Sequence, residues 1–226
     1  MHLKLSNIQE VFKGLEEEEI KGYHPFSHKN RREIYRELTR APCLNSSQLS
    51  SRTGIKASNT VWHLRKLQKE GYVHSVKYQS EIFYPEWLVL PEDWKLFYWI
   101  NKKGVASIIR PLLFGCKGVD ELISNMSRAT FYRYLQVLKE LGLIETGRGR
   151  KSWLCLKDIF FQKMEEYDRR GMKFKRDLIK RLERGGYEVE AIGTYNYEVK
   201  LRIVGREKFT MSIYISPIRT ALGVFE

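Results

Sequence analysis

The stretch Thr130-Phe131-Tyr132-Arg133-Tyr134-Leu135-Gln136-Val137-Leu138-Lys139-Glu140-Leu141-Gly142-Leu143-Ile144 has a counterpart 71 residues earlier. That counterpart reads Asn59-Thr60-Val61-Trp62-His63-Leu64-Arg65-Lys66-Leu67-Gln68-Lys69-Glu70-Gly71-Tyr72-Val73. Leu64 coincides with Leu135, Leu67 with Leu138, Lys69-Glu70 with Lys139-Glu140 and Gly71 with Gly142. Self-similarity at a fixed interval is the mark of a duplicated structural unit. Within each copy the leucines recur at helical spacing. Each copy ends on a glycine suited to the left-handed residue that closes a helix.

Working outward, both copies predict the same order of elements. A first helix over Lys29–Arg40 carries Ile34, Tyr35 and Leu38 at helical spacing; its counterpart over 102–113 carries Val105, Ile108, Ile109 and Leu112. A short helix follows, at 48–52 after the capping run Asn45-Ser46-Ser47 and at 119–124 in the second copy. The third helix spans 56–70 or 127–141. A hairpin then closes each unit: 72–77 and 81–84 flank Tyr78-Gln79-Ser80, and 143–146 and 151–156 flank Gly147-Arg148-Gly149-Arg150. Three helices and a β-hairpin predict a winged helix-turn-helix, here in tandem.

Leu49-x5-Ile55 with Trp62-His63-Leu64-x2-Leu67-x3-Gly71, and the run from Ser127 to Ile144, resemble archaeal regulators of the ArsR/MarR-like winged-helix class. The resemblance covers about residues 28–157. It implies a sequence-specific, double-stranded-DNA-binding transcription regulator working in the cytoplasm on the nucleoid. Candidate further partners are a basal transcription factor, RNA polymerase or a second copy of the chain. A protein-interaction scaffold of the transcription, replication or chromosome machinery, with weak non-specific DNA binding, is the alternative.

A recognition helix reads base edges from the major groove with its outward side chains. With Phe131, Leu135 and Leu138 facing the core, the second unit offers Ser127, Arg128, Thr130, Tyr132, Arg133 and Gln136. Arg133 suits a bidentate guanine contact and Gln136 an adenine contact; Ser127 and Thr130 suit phosphates or the helix cap. The first unit offers Lys56, Ser58, Asn59, Trp62, Arg65 and Lys66, with Trp62 also suited to packing. The second wing adds Arg148, Arg150 and Lys151 between glycines, an arrangement that fits phosphates or a narrow minor groove.

Charge supports this assignment. Of 226 residues, 40 are Lys or Arg and 27 Asp or Glu. Residues 1–28 are net −2, 29–170 net +11 and 171–226 net +4, so a polyanionic partner belongs to the middle of the chain. The longest apolar stretch, 105–114, falls short of the roughly 18 residues a membrane span needs. Glu16 to Glu19 and the absence of an apolar run argue against a secretory signal. Cys43, Cys116 and Cys155 are dispersed and odd in number, which predicts neither a disulfide framework nor a Cys-rich zinc site and fits a reducing compartment. His63 is expected to pack locally, and no cofactor or metal site is expected. Neither a phosphate-cradling glycine loop nor H-E-x-x-H is present, so the chain is not expected to be an enzyme.

The flanks complete the expected architecture. An amphipathic helix carrying Leu5, Ile8, Val11, Phe12 and Leu15 precedes the first unit. After the second, 157–185 reads as helix with a break at Gly171, followed by three alternating strands at 187–192, 197–204 and 209–215, with Pro217 punctuating the tail. The expected class is thus mainly α with small β wings: tandem winged helix-turn-helix domains at 28–90 and 91–157, an arm at 1–27, and a C-terminal α+β unit (helix plus three-stranded antiparallel meander) at 158–226, suited to dimerisation or partner docking.

Overall fold

The computed structural model describes residues 24–123, 126–147 and 153–225. The expected N-terminal helix and the tip of the second hairpin, with Arg148, Arg150 and Lys151, lie outside them. The chain begins with helix α1 (Lys29–Arg40), whose Ile34, Tyr35 and Leu38 are buried on one face. Strand β1 (Leu44–Asn45) leads into α2 (Ser46–Thr53). Asn45 caps α2 through a reciprocal pair: its Oδ1 accepts from the Gln48 amide at 2.8 Å, and Gln48 Oε1 accepts from the Asn45 amide at 2.9 Å. Helix α3 (Ala57–Lys69) follows, and Gly71 after it takes the left-handed φ of 64°. Strands β2 (Val73–Lys77) and β3 (Glu81–Pro85) form the hairpin, with β1 on the far side of β3.

The next stretch repeats this order after an inserted helix, α4 (Trp94–Ile100). Periodicity does not reveal α4, because it is short and apolar on several sides: Leu96, Phe97, Tyr98 and Ile100 are all buried. Its Tyr98 rests against Tyr78 of the first hairpin, and its Trp99 against Tyr134 further along. Then come α5 (Lys103–Leu112), β4 (Lys117–Gly118), α6 (Val119–Ile123), α7 (Arg128–Glu140), β5 (Ile144–Gly147) and β6 (Trp153–Leu156), with sheet order β4-β6-β5. Gly142 takes a φ of 69°, matching Gly71. Cys116 and Cys155 are disulfide-bonded, with Cα atoms 4.4 Å apart, contrary to the sequence expectation. Antiparallel pairing of β4 with β6, Lys117 opposite Leu154, brings the two cysteines side by side. Cys43 is free and buried.

The C-terminal segment holds both parts together. Helix α8 (Asp158–Arg184) is continuous over 27 residues, so the expected break at Gly171 does not occur. Gly171 instead marks a close approach: a Cβ there would sit 1.6 Å from the carbonyl oxygen of Ile215. Phe160, Met164 and Tyr167 of α8 join the core formed by α4, α5 and α7. Phe174, Leu178 and Leu182 join that of α1 to α3. The meander β7 (Glu188–Tyr195), β8 (Glu198–Val204) and β9 (Lys208–Tyr214) forms as expected and buries Val199, Leu201, Ile203, Met211 and Ile213 in the latter core. It is tied to α1 by the Tyr214 amide, which donates to Thr39 Oγ1 at 3.0 Å, and by the Arg36–Glu198 pair at 2.8 Å. Pro217 does not merely punctuate the tail. It opens α9 (Pro217–Leu222), a position where its missing N–H costs nothing. Ile218 and Leu222 of α9 return to the core of α4, α5 and α7.

One half-buried histidine makes the stability of this arrangement depend on pH. His24 Nδ1 accepts from the Phe26 amide at 3.1 Å, and its Nε2 lies 3.0 Å from the Tyr72 hydroxyl. Burial, and then the cations Arg181 and Arg31, push the His24 pKa from 6.5 down to about 4. Between these values the unfolded chain binds a proton that the folded chain refuses. The neutral-histidine contribution is complete above about pH 6.5 and is lost progressively as pH falls towards about 4. The thermal midpoint is expected to fall over that interval, and more steeply than in His24→Gln, as followed by thermal unfolding across the range.

Candidate nucleic-acid interface

In the first unit, α3 presents part of its expected outward set. Lys56 and Ser58 are exposed, Asn59 is half-buried, and Lys66 lies 5.6 Å from the centre of the Trp62 ring. Trp62 is a correction: its indole is buried (8% exposed), with the Arg31 guanidinium 5.8 Å from its ring centre. It is packing, not an outward contact. Arg65 is exposed, but it grips Glu81 of β3 through two bonds, of 2.8 and 2.6 Å, and also donates to Gln68. Ser75 donates to the same carboxylate at 2.8 Å. The hydrogen bonds from Arg65, then that from Ser75, hold the Glu81 carboxyl below the usual carboxylate range. Helix and wing are thereby fastened together, and the strongest potential base-reading donor of α3 is occupied. His63 is buried against His28, at 4.5 Å between ring centres, with Nε2 3.4 Å from Asn30 Nδ2.

In the second unit, Phe131, Leu135 and Leu138 of α7 are buried as the helical period requires. Ser127 is the cap: its Oγ accepts from the Thr130 amide at 3.3 Å and donates to Thr130 Oγ1 at 2.9 Å. These two residues are therefore occupied with starting the helix. Arg128, Tyr132, Arg133 and Gln136 are exposed, with Tyr132 at 54%. The Arg133 guanidinium lies 5.2 Å from the centre of the Tyr134 ring. Tyr134 in turn lies against Gly104, where a Cβ would come within 2.4 Å of the ring. Gln136 donates to Glu140 at 2.9 Å, the only acidic residue within α7 itself.

A residue that periodicity places on a solvated face positions α3. Arg181 of α8 donates from Nη1 to the Gly71 carbonyl at 2.8 Å and from Nη2 to the Glu70 carbonyl. Its guanidinium lies 3.9 Å from the Tyr72 ring centre and 5.3 Å from that of Trp87. A cation here satisfies carbonyls left open at the end of α3 and complements its dipole. Nothing in the local sequence signals this, because the partner lies 110 residues away. Arg181→Ala is expected to cost about 1–2 kcal/mol, measured by denaturant unfolding, with Arg181→Lys recovering only part because it loses the planar fork.

Residues 27–74, comprising α1 to α3 and the start of the hairpin, match the family model described as winged helix-turn-helix DNA-binding. No curated protein matches the chain. This segment is thus a winged helix-turn-helix of DNA-binding type, and the chain is mainly helical with small antiparallel sheets. Among the described residues no helix is long and apolar enough to cross a membrane, and no group of three or more His, Cys, Asp or Glu could hold a metal ion.

Proposed function

We propose that the protein is a sequence-specific double-stranded-DNA-binding transcription regulator of the cytoplasmic nucleoid, with tandem winged helices at 28–90 and 91–157. In this reading α7 enters the major groove, with Arg133 and Gln136 reading base edges, Arg128 and Tyr132 beside them, and the basic second wing on phosphates or the minor groove. The observation that carries it is the composition of the exposed surface of α7, where Arg128 and Tyr132 in its first turns and Arg133 and Gln136 beyond them are all exposed while Phe131, Leu135 and Leu138 are buried. The first unit extends the footprint through Lys56, Ser58 and Asn59, while its Arg65 stays with Glu81. Helix α8 contributes to both cores, so the two units are expected to address half-sites at a fixed spacing. Selection from random duplexes at about 150 mM salt, where weak non-specific attraction is screened, tests the proposal. Enrichment of one bipartite motif is expected. Recovery of random sequence, or of a motif indifferent to changes in α7, would overturn it.

A further inference from the structure

Helix α8 carries a second cationic feature that neither recognition helix accounts for. Arg169, Lys173, Arg176, Lys180 and Arg184 are all exposed and recur at steps of four, three, four and four residues. They therefore share one face, on the side of α8 away from Phe174, Leu178 and Leu182. At 1.5 Å per residue the row is about 22 Å long.

Two bland explanations leave most of the row unaccounted for. Basic residues near a helix C-terminus complement its dipole, but that effect fades within the last turn, so it covers Arg184 and not Arg169, Lys173 or Arg176. Exposed helices also carry charges in alternating i, i+4 pairs. Here Lys173 pairs with Asp177 at 2.6 Å, whereas Arg169, Arg176 and Lys180 make no ion pair among the described residues. Glu183 and Asp177 flank the row without interrupting it. Like charges at these spacings destabilise a helix by a few tenths of a kcal/mol per pair, and no core contact requires them.

We infer that this face of α8 is a track for the phosphodiester backbone of duplex DNA, separate from the base-reading helices; this rests on the DNA-binding function proposed above. One cation per turn, about every 5.4 Å, faces a duplex in which each strand carries a phosphate about every 3.4 Å along the duplex axis. The row spans roughly six base pairs on that spacing. No aromatic side chain lies within it, so it lacks the stacking platforms that single-stranded nucleic acids require. A contact made only by cations adds affinity and salt dependence without sequence preference.

The test compares the full chain, Arg176→Ala/Lys180→Ala and Arg133→Ala by fluorescence anisotropy, on the selected duplex and a scrambled duplex of about 40 base pairs, over a range of salt. The double variant is expected to bind both duplexes more weakly. Its log–log salt slope should drop by about two, with the preference between the duplexes unchanged. Its thermal midpoint should be unaltered or slightly raised, because like-charge repulsion is relieved; loss of folding then cannot explain weaker binding. An unchanged slope and affinity overturn the track. If Arg133→Ala also leaves the preference intact, the base-reading role of α7 falls as well; if only Arg133→Ala acts, the track alone is refuted. Arg169→Glu/Arg176→Glu provides a second variant, in which binding should weaken further than in the alanine pair; affinity equal to the wild type refutes the track equally.

Discussion

Gly171→Ala is expected to lower the thermal midpoint by roughly 6–12 °C, although alanine is the better helix former. In an exposed helix interior the same substitution would stabilise by up to about 1 kcal/mol. At residue 171 the added Cβ would fall 1.6 Å from the Ile215 carbonyl oxygen and 2.5 Å from its carbon. These are backbone atoms, so no rotamer change relieves the overlap. Ile215 is itself held by its amide, which donates to the Tyr197 carbonyl at 3.0 Å. Immediately beyond it, Ser216 and Arg219 both donate to Asp168 of α8, the latter at 2.9 Å. The meander and α9 must therefore lift away from α8 together. Overpacking of this kind typically costs 1–3 kcal/mol and sometimes more. Near 3 kcal/mol, a chain of this length loses about 2–4 °C per kcal/mol. Calorimetry or circular dichroism decides the sign. A midpoint that rises would mean that helix propensity governs residue 171 and that the meander is not seated on α8.

That glycine shows where the sequence stops being legible. Elements whose signals are local are readable. The expected and observed bounds of α1 coincide, those of α3 and α7 agree within a residue at each end, and Gly71 and Gly142 take the left-handed conformation their placement suggests. The meander follows from two-residue alternation. What escapes depends on partners distant in sequence. A glycine in a helix reads as a break unless the opposing backbone is known. Cys116 and Cys155 read as isolated until β4 pairs with β6. Helix α9 is too short for periodicity, and α4 is too uniformly apolar. The candidate interface divides in the same way. On α7 the outward residues follow from helical period alone, because among the described residues no other element covers Arg128, Tyr132, Arg133 or Gln136. On α3 the period places Trp62 and Arg65 outward, yet burial removes the first and Glu81 occupies the second.

This division makes Arg133 the most informative side chain in the proposed interface. Its guanidinium stands over Tyr134, which is wedged between Gly104 and Trp99, so the donor is held on a supported surface. No acidic side chain pairs with it among the described residues, in contrast to Arg65. A bidentate contact to guanine O6 and N7 discriminates against the wrong base by about 1–3 kcal/mol. Arg133→Ala is therefore expected to weaken binding to the selected duplex by roughly 5- to 150-fold. Binding to a scrambled duplex should change far less, and preference should relax at one base pair. Arg133→Lys sharpens the test. It keeps the charge and so the salt slope, but lacks the planar fork, so discrimination should fall nearly as far as in the alanine variant. Competition titrations with single-base-substituted duplexes measure both quantities. A lysine variant that restores discrimination would place Arg133 on a phosphate. An alanine variant that binds and discriminates like the wild type would mean that another helix reads the bases, and α3, with Lys56, Ser58 and Asn59, would be the next to test.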